Sequence, residues 1–172
     1  MNETVEDYIA RIITTLGDRD PLTVLAETPG RLRSLVSSAT PDQLTWTSSP
    51  TRWTITQIVA HLADAEIAGA WRFRSVLAQD GIALGAYDQN AWAAAFRYEQ
   101  APATESVALF AALRTATLRV LRAVDPSHLQ HAGLHSERGR ESITRLEEMY
   151  AGHDLNHLAQ IERLLSESRQ AR

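Results

Sequence analysis

Apolar residues recur every three or four positions through most of the chain, a spacing typical of the buried face of an amphipathic helix. The first such stripe covers about residues 3–16 and ends at Gly17, and the second covers about residues 21–39. Pro29 is expected to kink or restart the second helix, because proline lacks an amide hydrogen and crowds the preceding turn. No segment of alternating β-branched and polar residues is bounded by hairpin turns. The pattern therefore predicts an all-α fold.

The clearest helix start in the chain lies at Thr54. Thr54 is a predicted N-cap, and Gln57 three residues later completes a capping box. A long helix is therefore predicted from Thr54 to about Gln79. The glycines and polar residues that begin at Asp80 predict a crossing loop, with a short helix at about residues 89–96.

Two further long helices are predicted in the second half of the chain, over about residues 104–124 and 142–168. Thr104 is the expected cap of the first, and a polar loop over residues 131–141 precedes the second. Four long helices, with one long crossing loop between the second and third, predict a four-helix bundle.

Composition narrows the class of protein. The chain has 172 residues, 44% of them hydrophobic and 22% charged, which suits a single domain covering residues 1–172. A formal net charge of −4 and scattered lysines and arginines provide no basic face, so a nucleic acid is not an expected partner. The sequence contains neither a membrane-length apolar run nor the basic and apolar regions of a signal peptide. We therefore expect a cytoplasmic protein with no membrane partner.

Three histidines are candidate metal ligands. The chain has no cysteine, so any metal must be held by His, Asp or Glu. His153 and His157 lie four residues apart on the last helix, which places both on one face, a spacing that lets two imidazoles share one ion. His61 lies in the apolar stripe of the capped helix. A shared divalent ion with open coordination positions explains three inward histidines; ordinary interior histidines, each bonded to a nearby hydroxyl or carboxylate, are the alternative.

Two charged residues near His61 are candidates for a role in catalysis or binding. Asp64, one turn along the helix, fits a residue that orients a ligating imidazole, a base acting on bound water, or a plain surface carboxylate. Arg72, eleven residues from His61 on nearly the same face, fits a contact with a carboxylate of a substrate or thiol, or an ion pair with an acid such as Asp88.

The other histidines are expected to be solvated bystanders in or beside the polar loop: His128, His131 and His135. The segment from His153 to His157 also differs from the H-E-x-x-H motif of zinc proteases. Asp154 follows the first histidine in place of glutamate, and no further ligand motif accompanies the pair. A protease is therefore not expected.

Two stretches of the chain resemble the DinB-like superfamily of metal-binding four-helix bundles, and within it the YfiT-like branch. WTITQIVAHLAD, which contains His61, is similar to the segment around that branch's first metal histidine, and YAGHDLNH, which contains His153 and His157, is similar to its paired histidines. The similarity continues through Arg72-Phe73 and around Trp92. The resemblance implies that the three histidines bind one divalent ion, nickel or zinc first of all, with waters completing the shell.

The same resemblance implies a function, although no matched residue fixes the substrate. Some members look like S-transferases that use a low-molecular-weight thiol of the bacillithiol, mycothiol or glutathione type, and others are described as metal-dependent hydrolases. We expect a small-molecule substrate, a homodimer, and metal-dependent thiol S-transfer as the leading activity. Hydrolysis by metal-activated water and a non-catalytic metal-binding or dimerising bundle are the alternatives.

Overall fold

The computed structural model describes residues 3–171, which form a bundle of α-helices with one small sheet. Seven α-helices lie within those residues: α1 (Val5–Leu16), α2 (Pro21–Ser38), α3 (Pro41–Thr45), α4 (Ile55–Ala78), α5 (Gln89–Ala95), α6 (Ala103–Ala123) and α7 (Ile143–Gln170). Three short strands accompany them: β1 (Ala83–Leu84), β2 (Ala132–His135) and β3 (Gly139–Ser142). Two short 3-10 helices follow α5 and α6: Tyr98–Gln100 and Pro126–Gln130.

Helices α2, α4, α6 and α7 form the bundle. Helix α4 packs against α6 and α7, α2 packs against the same two helices, and α1 lies along α7. The connection from α4 to α6 crosses the bundle and contains the short helix α5. The predicted four-helix bundle and its long crossing loop are therefore confirmed. Across residues 3–171, each helix is too short or too polar to cross a membrane.

Helix caps explain where the elements begin, with one correction. The Thr54 hydroxyl accepts a hydrogen bond from the amide of Gln57, and the Gln57 side chain accepts one from the amide of Thr54, so the predicted capping box is confirmed. Helix α6 differs from the prediction. Its N-cap is Pro102, which makes no side-chain cap bond, so the prediction that Thr104 caps this helix is wrong. Proline's fixed φ starts the helix without a capping side chain.

Pro29 lies inside α2 without ending it, so the predicted restart at this position is wrong. Proline has no amide hydrogen, which leaves the carbonyl of Leu25, four residues earlier, without its helical partner. Arg114 of α6 donates a hydrogen bond of 3.0 Å from Nη1 to this carbonyl. A side chain from another helix therefore satisfies the group that the proline leaves free.

Arg114 links all four helices of the bundle. Its guanidinium donates to Glu66 of α4 at 2.7 Å and to Asp154 of α7 at 2.6 Å, in addition to the Leu25 carbonyl of α2. All three charged side chains are buried. Buried ion pairs tolerate little displacement, because each partner that loses the other is left as an unpaired charge away from water. This cluster therefore fixes the axial positions of α4 and α7 relative to each other.

The segment before α7 is a β-hairpin, which corrects the prediction of an irregular polar loop over residues 131–141. Strand β2 pairs antiparallel with β3 and parallel with β1. Gly139 adopts a φ of 74° where the hairpin turns, a conformation that favours glycine. The strands have two to four residues each, too few to produce a visible alternating pattern in the sequence.

Candidate metal centre

The three histidines reach the core from two helices. His61 lies on α4 two turns after the Thr54 cap and is 1% exposed. His153 and His157 lie one turn apart on α7, where the apolar clusters around Leu155 and Leu158 meet. The predicted faces of both helices are therefore correct, because all three rings converge on one point.

The ring atoms that converge are the three Nε2 nitrogens. His153 Nε2 lies 3.1 Å from His61 Nε2 and 3.1 Å from His157 Nε2, and all three donor atoms lie within 4.8 Å of one another. The ring centroids are 4.4 to 5.1 Å apart. His153 is thus the central member of the cluster.

A shared cation fits these nitrogens better than shared protons do. His157 Nδ1 lies 2.9 Å from the Gln160 side-chain oxygen, a contact that requires the proton on Nδ1 and leaves Nε2 as a lone pair. A hydrogen on His153 Nε2 points in one direction and cannot serve both neighbours. The edge of a tetrahedron of zinc–nitrogen bonds is about 3.3 Å long. Two nitrogen separations of 3.1 Å are close to that edge.

The electrostatics of the site keep the imidazoles neutral. Burial, followed by the charge on His157, lowers the pKa of His61 to about 3. Burial also lowers the pKa of His157 to about 4, and the pKa of His153 lies well below its ordinary value for the same reason. Metal ligation requires neutral imidazole, so the cluster has three lone pairs available at neutral pH.

The structure shows which side chains surround the cluster. Gln160, which sequence analysis missed, holds the ring of His157; its position three residues later on the same helix is the signal that would have identified it. Asp64 does not pair with His61, because its carboxylate accepts a hydrogen bond of 2.7 Å from Tyr98. Among the residues that the structure describes, His61 Nδ1 has no hydrogen-bond partner. The predicted role of Asp64 in orienting a ligand is therefore absent from this arrangement.

Asp154 is also engaged elsewhere. Although it directly follows His153, its carboxylate faces Arg114 in the buried ion cluster. It acts on the centre only through the placement of α7.

A cavity of about 390 Å³ opens beside the cluster. His61 and His153 form part of its wall, and helix α1, the crossing connection and the β-hairpin close its other sides. Its polar lining beyond the histidine cluster includes Tyr8, Arg72, Tyr87, His135, Arg138 and Tyr150. A second cavity of about 410 Å³ reaches His157, and Gln89 and Asn90 line both cavities. The volumes suit small molecules.

Arg72 lies in the wall of the first cavity, as its position on α4 indicated, but without the predicted acidic partner. Its guanidinium donates to the Gly85 carbonyl at 2.7 Å and to the Tyr150 hydroxyl at 3.2 Å. Asp88 instead accepts hydrogen bonds from the backbone at the start of α5. The alternative of an Arg72–Asp88 pair is therefore wrong.

One of the three histidines expected to be solvated is part of this cavity. His135 is 3% exposed and lies 3.4 Å from Arg72, because strand β2 carries it inward. His128 and His131 stack on each other, and His131 contacts backbone carbonyls at the end of α4. Neither lines the cavity; His128 is exposed, whereas His131 is half-buried against α4 and not fully solvated.

Comparisons with known proteins show the family of the chain. The family described as the DinB superfamily matches residues 25–161. YfiT of Bacillus subtilis is 31% identical over 144 residues, covering 82% of this chain and 80% of the relative. A protein of Oceanobacillus iheyensis is 27% identical over 149 residues, covering 87% and 86%. The names of both describe candidate metal-dependent hydrolases.

A solved structure is similar as well. The structure of YfiT from Bacillus subtilis superposes with a TM-score of 0.79 at 27% identity, covering 88% of this chain and 85% of that one. That protein is described as a candidate metal-dependent hydrolase with an unusual four-helix bundle topology.

Proposed function

Because the chain belongs to the DinB superfamily, we propose that it is a metal-dependent hydrolase of a small molecule, with His61, His153 and His157 holding one divalent cation. The convergence of three imidazole nitrogens on one point, two of them on buried side chains and the third on a half-buried one, is the observation that carries this proposal. The names of the relatives support the reaction class. Zinc and nickel are the first candidates, since imidazole suits both ions.

Three protein ligands leave coordination positions open, which is typical of catalytic centres. When bound, such a cation supplies an activated nucleophile, because coordination lowers the pKa of water to about 7 and deprotonates a thiol. The chain's own residues provide the setting: burial keeps the imidazoles neutral, and Gln160 fixes the His157 ring. The cavity beside His61 and His153 admits the substrate and limits its size.

Thiol S-transfer is the second candidate, and the position of Asp64 favours it. Sequence analysis gave a base as one of three roles for Asp64, but its Oδ2 accepts a hydrogen bond from Tyr98, and Asp64 lines neither of the two cavities that reach the histidines. A thiol is already far more acidic than water, so coordination would favour its thiolate with the proton passing to solvent, and S-transfer would not require a base at the position of Asp64. The chain has no cysteine, so the sulfur would come from a co-substrate of the bacillithiol, mycothiol or glutathione type.

One assay separates the two reactions. Zinc-loaded and nickel-loaded protein is incubated with a panel of small esters and amides, and separately with an electrophile and each of the three thiols. Hydrolysis without thiol that is lost in His61→Ala and kept in His131→Ala supports the hydrolase. Conjugation that needs one thiol supports the transferase, and a new sulfur-to-metal absorption band of the cobalt form with that thiol would accompany it. Inactivity in both assays, with metal bound, would favour a non-catalytic metal-binding bundle.

A further inference from the structure

Arg72 is a buried cation without an anion. It is 5% exposed, and among residues 3–171 no carboxylate oxygen lies within 4.0 Å of its guanidinium. Its hydrogen-bond acceptors, the Gly85 carbonyl and the Tyr150 hydroxyl, are both neutral. The Tyr87 ring, whose centroid lies 5.7 Å from the guanidinium carbon, is also neutral. A buried charge is costly unless an opposite charge pairs with it.

Two other arginines whose side chains are buried or half-buried, Arg114 and Arg138, do have acidic partners. Arg114 contacts Glu66 and Asp154. Arg138, which lines the same cavity as Arg72, forms a two-bond pair with Glu141 at 2.7 and 2.9 Å. The missing partner of Arg72 is therefore specific to this position and to the cavity that it faces.

His135 supplies a second donor at the same place. Its Nδ1 accepts hydrogen bonds from the backbone amides of Glu137 and Arg138, at 3.2 and 3.3 Å. The proton of the neutral ring is then on Nε2. Burial, followed by the charge of Arg138, lowers the pKa of His135 and keeps the ring neutral.

The contact between these two side chains joins two donors. His135 Nε2 lies 3.4 Å from Arg72 Nη2, and both atoms carry hydrogen. Such a contact has no acceptor of its own. An oxygen atom placed against both groups would accept from each, and an anionic oxygen would also neutralise the guanidinium.

The spacing relates this pair to the histidine cluster. Arg72 follows His61 by eleven residues on α4, which is about 16 Å along the helix axis, and helical side chains lean back toward the N-terminus. Ala65 lies between them and leaves the cavity open. Gly69 makes room for the Tyr150 ring, since a Cβ there would lie 2.6 Å from the ring's Cε1 atom. The Tyr150 hydroxyl thereby reaches Arg72.

We propose that Arg72 and His135 form an oxyanion subsite, and that the substrate is a small molecule with a carboxylate or phosphate at one end and its reacting group at the His61–His153–His157 cluster. The proposal deepens the proposed function and rests on it for the reacting end. The anion subsite itself depends only on the geometry of Arg72 and His135.

Matched probes test the full arrangement. Zinc-loaded protein is titrated calorimetrically with alkyl hydroxamates of graded length, whose hydroxamate binds zinc and whose far end is a carboxylate, a phosphonate or an uncharged primary amide. At the best length, we expect an anionic end to bind at least about tenfold more tightly than the amide end, as charge-assisted hydrogen bonds imply. The carboxylate and phosphonate arms distinguish the two anion types.

Variants assign the effect to its residues. Arg72→Gln should reduce the preference for the anionic end over the amide end to less than about twofold. Arg72→Lys, which keeps the charge but lacks the paired N–H donors of a guanidinium, should retain part of this preference. Arg140→Gln is the control, because Arg140 is exposed on the same hairpin and does not line the cavity, and it should keep the full preference. Circular dichroism and zinc content check that each variant is folded and loaded. A wild-type protein with no anionic preference, or an Arg72→Gln variant that keeps it, would overturn the proposal.

A metal-free arm separates this inference from the proposed function. Wild-type and Arg72→Gln protein without metal are titrated with acetate and with inorganic phosphate, and the His135 ring resonances are followed by NMR. Saturable shifts in the wild type that are absent from Arg72→Gln support the subsite even if the chain binds no zinc. Absence of a saturable shift with either anion would contradict the subsite, whereas normal shifts in a protein that binds no metal would contradict only the proposed function.

Discussion

Arg114 donates a hydrogen bond of 2.6 Å to Asp154, the residue that directly follows His153. The ion cluster that joins the four helices is therefore attached to the helix segment that carries two of the three candidate ligands. His61 belongs to α4, which the same guanidinium reaches through Glu66. The relative placement of the three histidines thus depends on a contact that involves none of them.

Removing this arginine should strongly destabilise the fold. Arg114→Met leaves Glu66 and Asp154 buried without a cation, and we expect the free energy of unfolding to fall by about 3–5 kcal/mol. Urea denaturation measures the change. Arg31→Met is the control: it breaks an exposed pair with Glu162 and should cost about 1 kcal/mol or less. Equal effects of the two substitutions would contradict the role given to Arg114.

Two threonines test the assignment of helix caps. Thr54→Ala removes the hydroxyl that accepts from the Gln57 amide and should cost about 1 kcal/mol, equivalent to a fall in Tm of about 2–4 °C. Thr104→Ala should change stability by less than about 0.5 kcal/mol, because Thr104 makes no cap bond. Calorimetric scans of both variants measure these changes in stability. A larger loss of stability in Thr104→Ala than in Thr54→Ala would contradict the assignment of Thr54 as a cap and of Thr104 as a residue without a cap bond.

Glu147 on α7 should make stability depend on pH. Burial, followed by the charges of Asp20 and Glu148, raises its pKa from 4.5 to about 7. The folded state therefore holds this proton more tightly than the unfolded state, and stability is lost as pH rises from about 4.5 to about 7.

Glu147→Gln removes that loss. Since the carboxyl is partly exposed, we expect a gain on the order of 1 kcal/mol at pH 8, or about 2–4 °C in Tm, and no difference between the two proteins at pH 4. Thermal scans at both pH values measure it. A gain of equal size at pH 4 would indicate a cause other than ionisation.

The family resemblance leads us to propose a homodimer. Ile67 and Trp71 lie one turn apart on α4, and their side chains are 45% and 53% exposed, which provides an apolar surface for a second copy of the chain. Light scattering should give twice the monomer mass, and Trp71→Glu should shift the population toward the monomer. A monomer mass that does not change with concentration would rule the dimer out.

Local signals in the sequence predicted the long helices, apart from the cap of α6 and the effect of Pro29. The capping box depends only on the four residues from Thr54 to Gln57. The spacing of His153 and His157 places both side chains on one face of a helix, independently of contacts with the rest of the chain. The apolar stripes predicted that His61 and that pair face the core, and the family resemblance, more than the spacing, indicated that they share one ion.

Contacts between distant residues were beyond the reach of periodicity. The hydrogen bond from Arg114 to the Leu25 carbonyl joins residues 89 positions apart, and the sequence around Pro29 does not indicate it. His135 becomes buried because a strand of four residues pairs with one of two, lengths at which alternation is invisible. The bond between Tyr98 and Asp64 likewise depends on how the crossing connection folds over α4.

Metal content tests directly whether His61, His153 and His157 bind one divalent ion. Protein purified without a histidine tag is stripped with a chelator, reconstituted separately with zinc and nickel, desalted and analysed for metal. We expect about one equivalent per chain in the wild type and in His131→Ala, and under about a tenth in His61→Ala, His153→Ala or His157→Ala. Removing the ion from the wild type should lower its Tm. Less than about a tenth of an equivalent of metal per chain in the wild type would contradict the proposed metal site. So would a His61→Ala variant that keeps its metal while His131→Ala loses it.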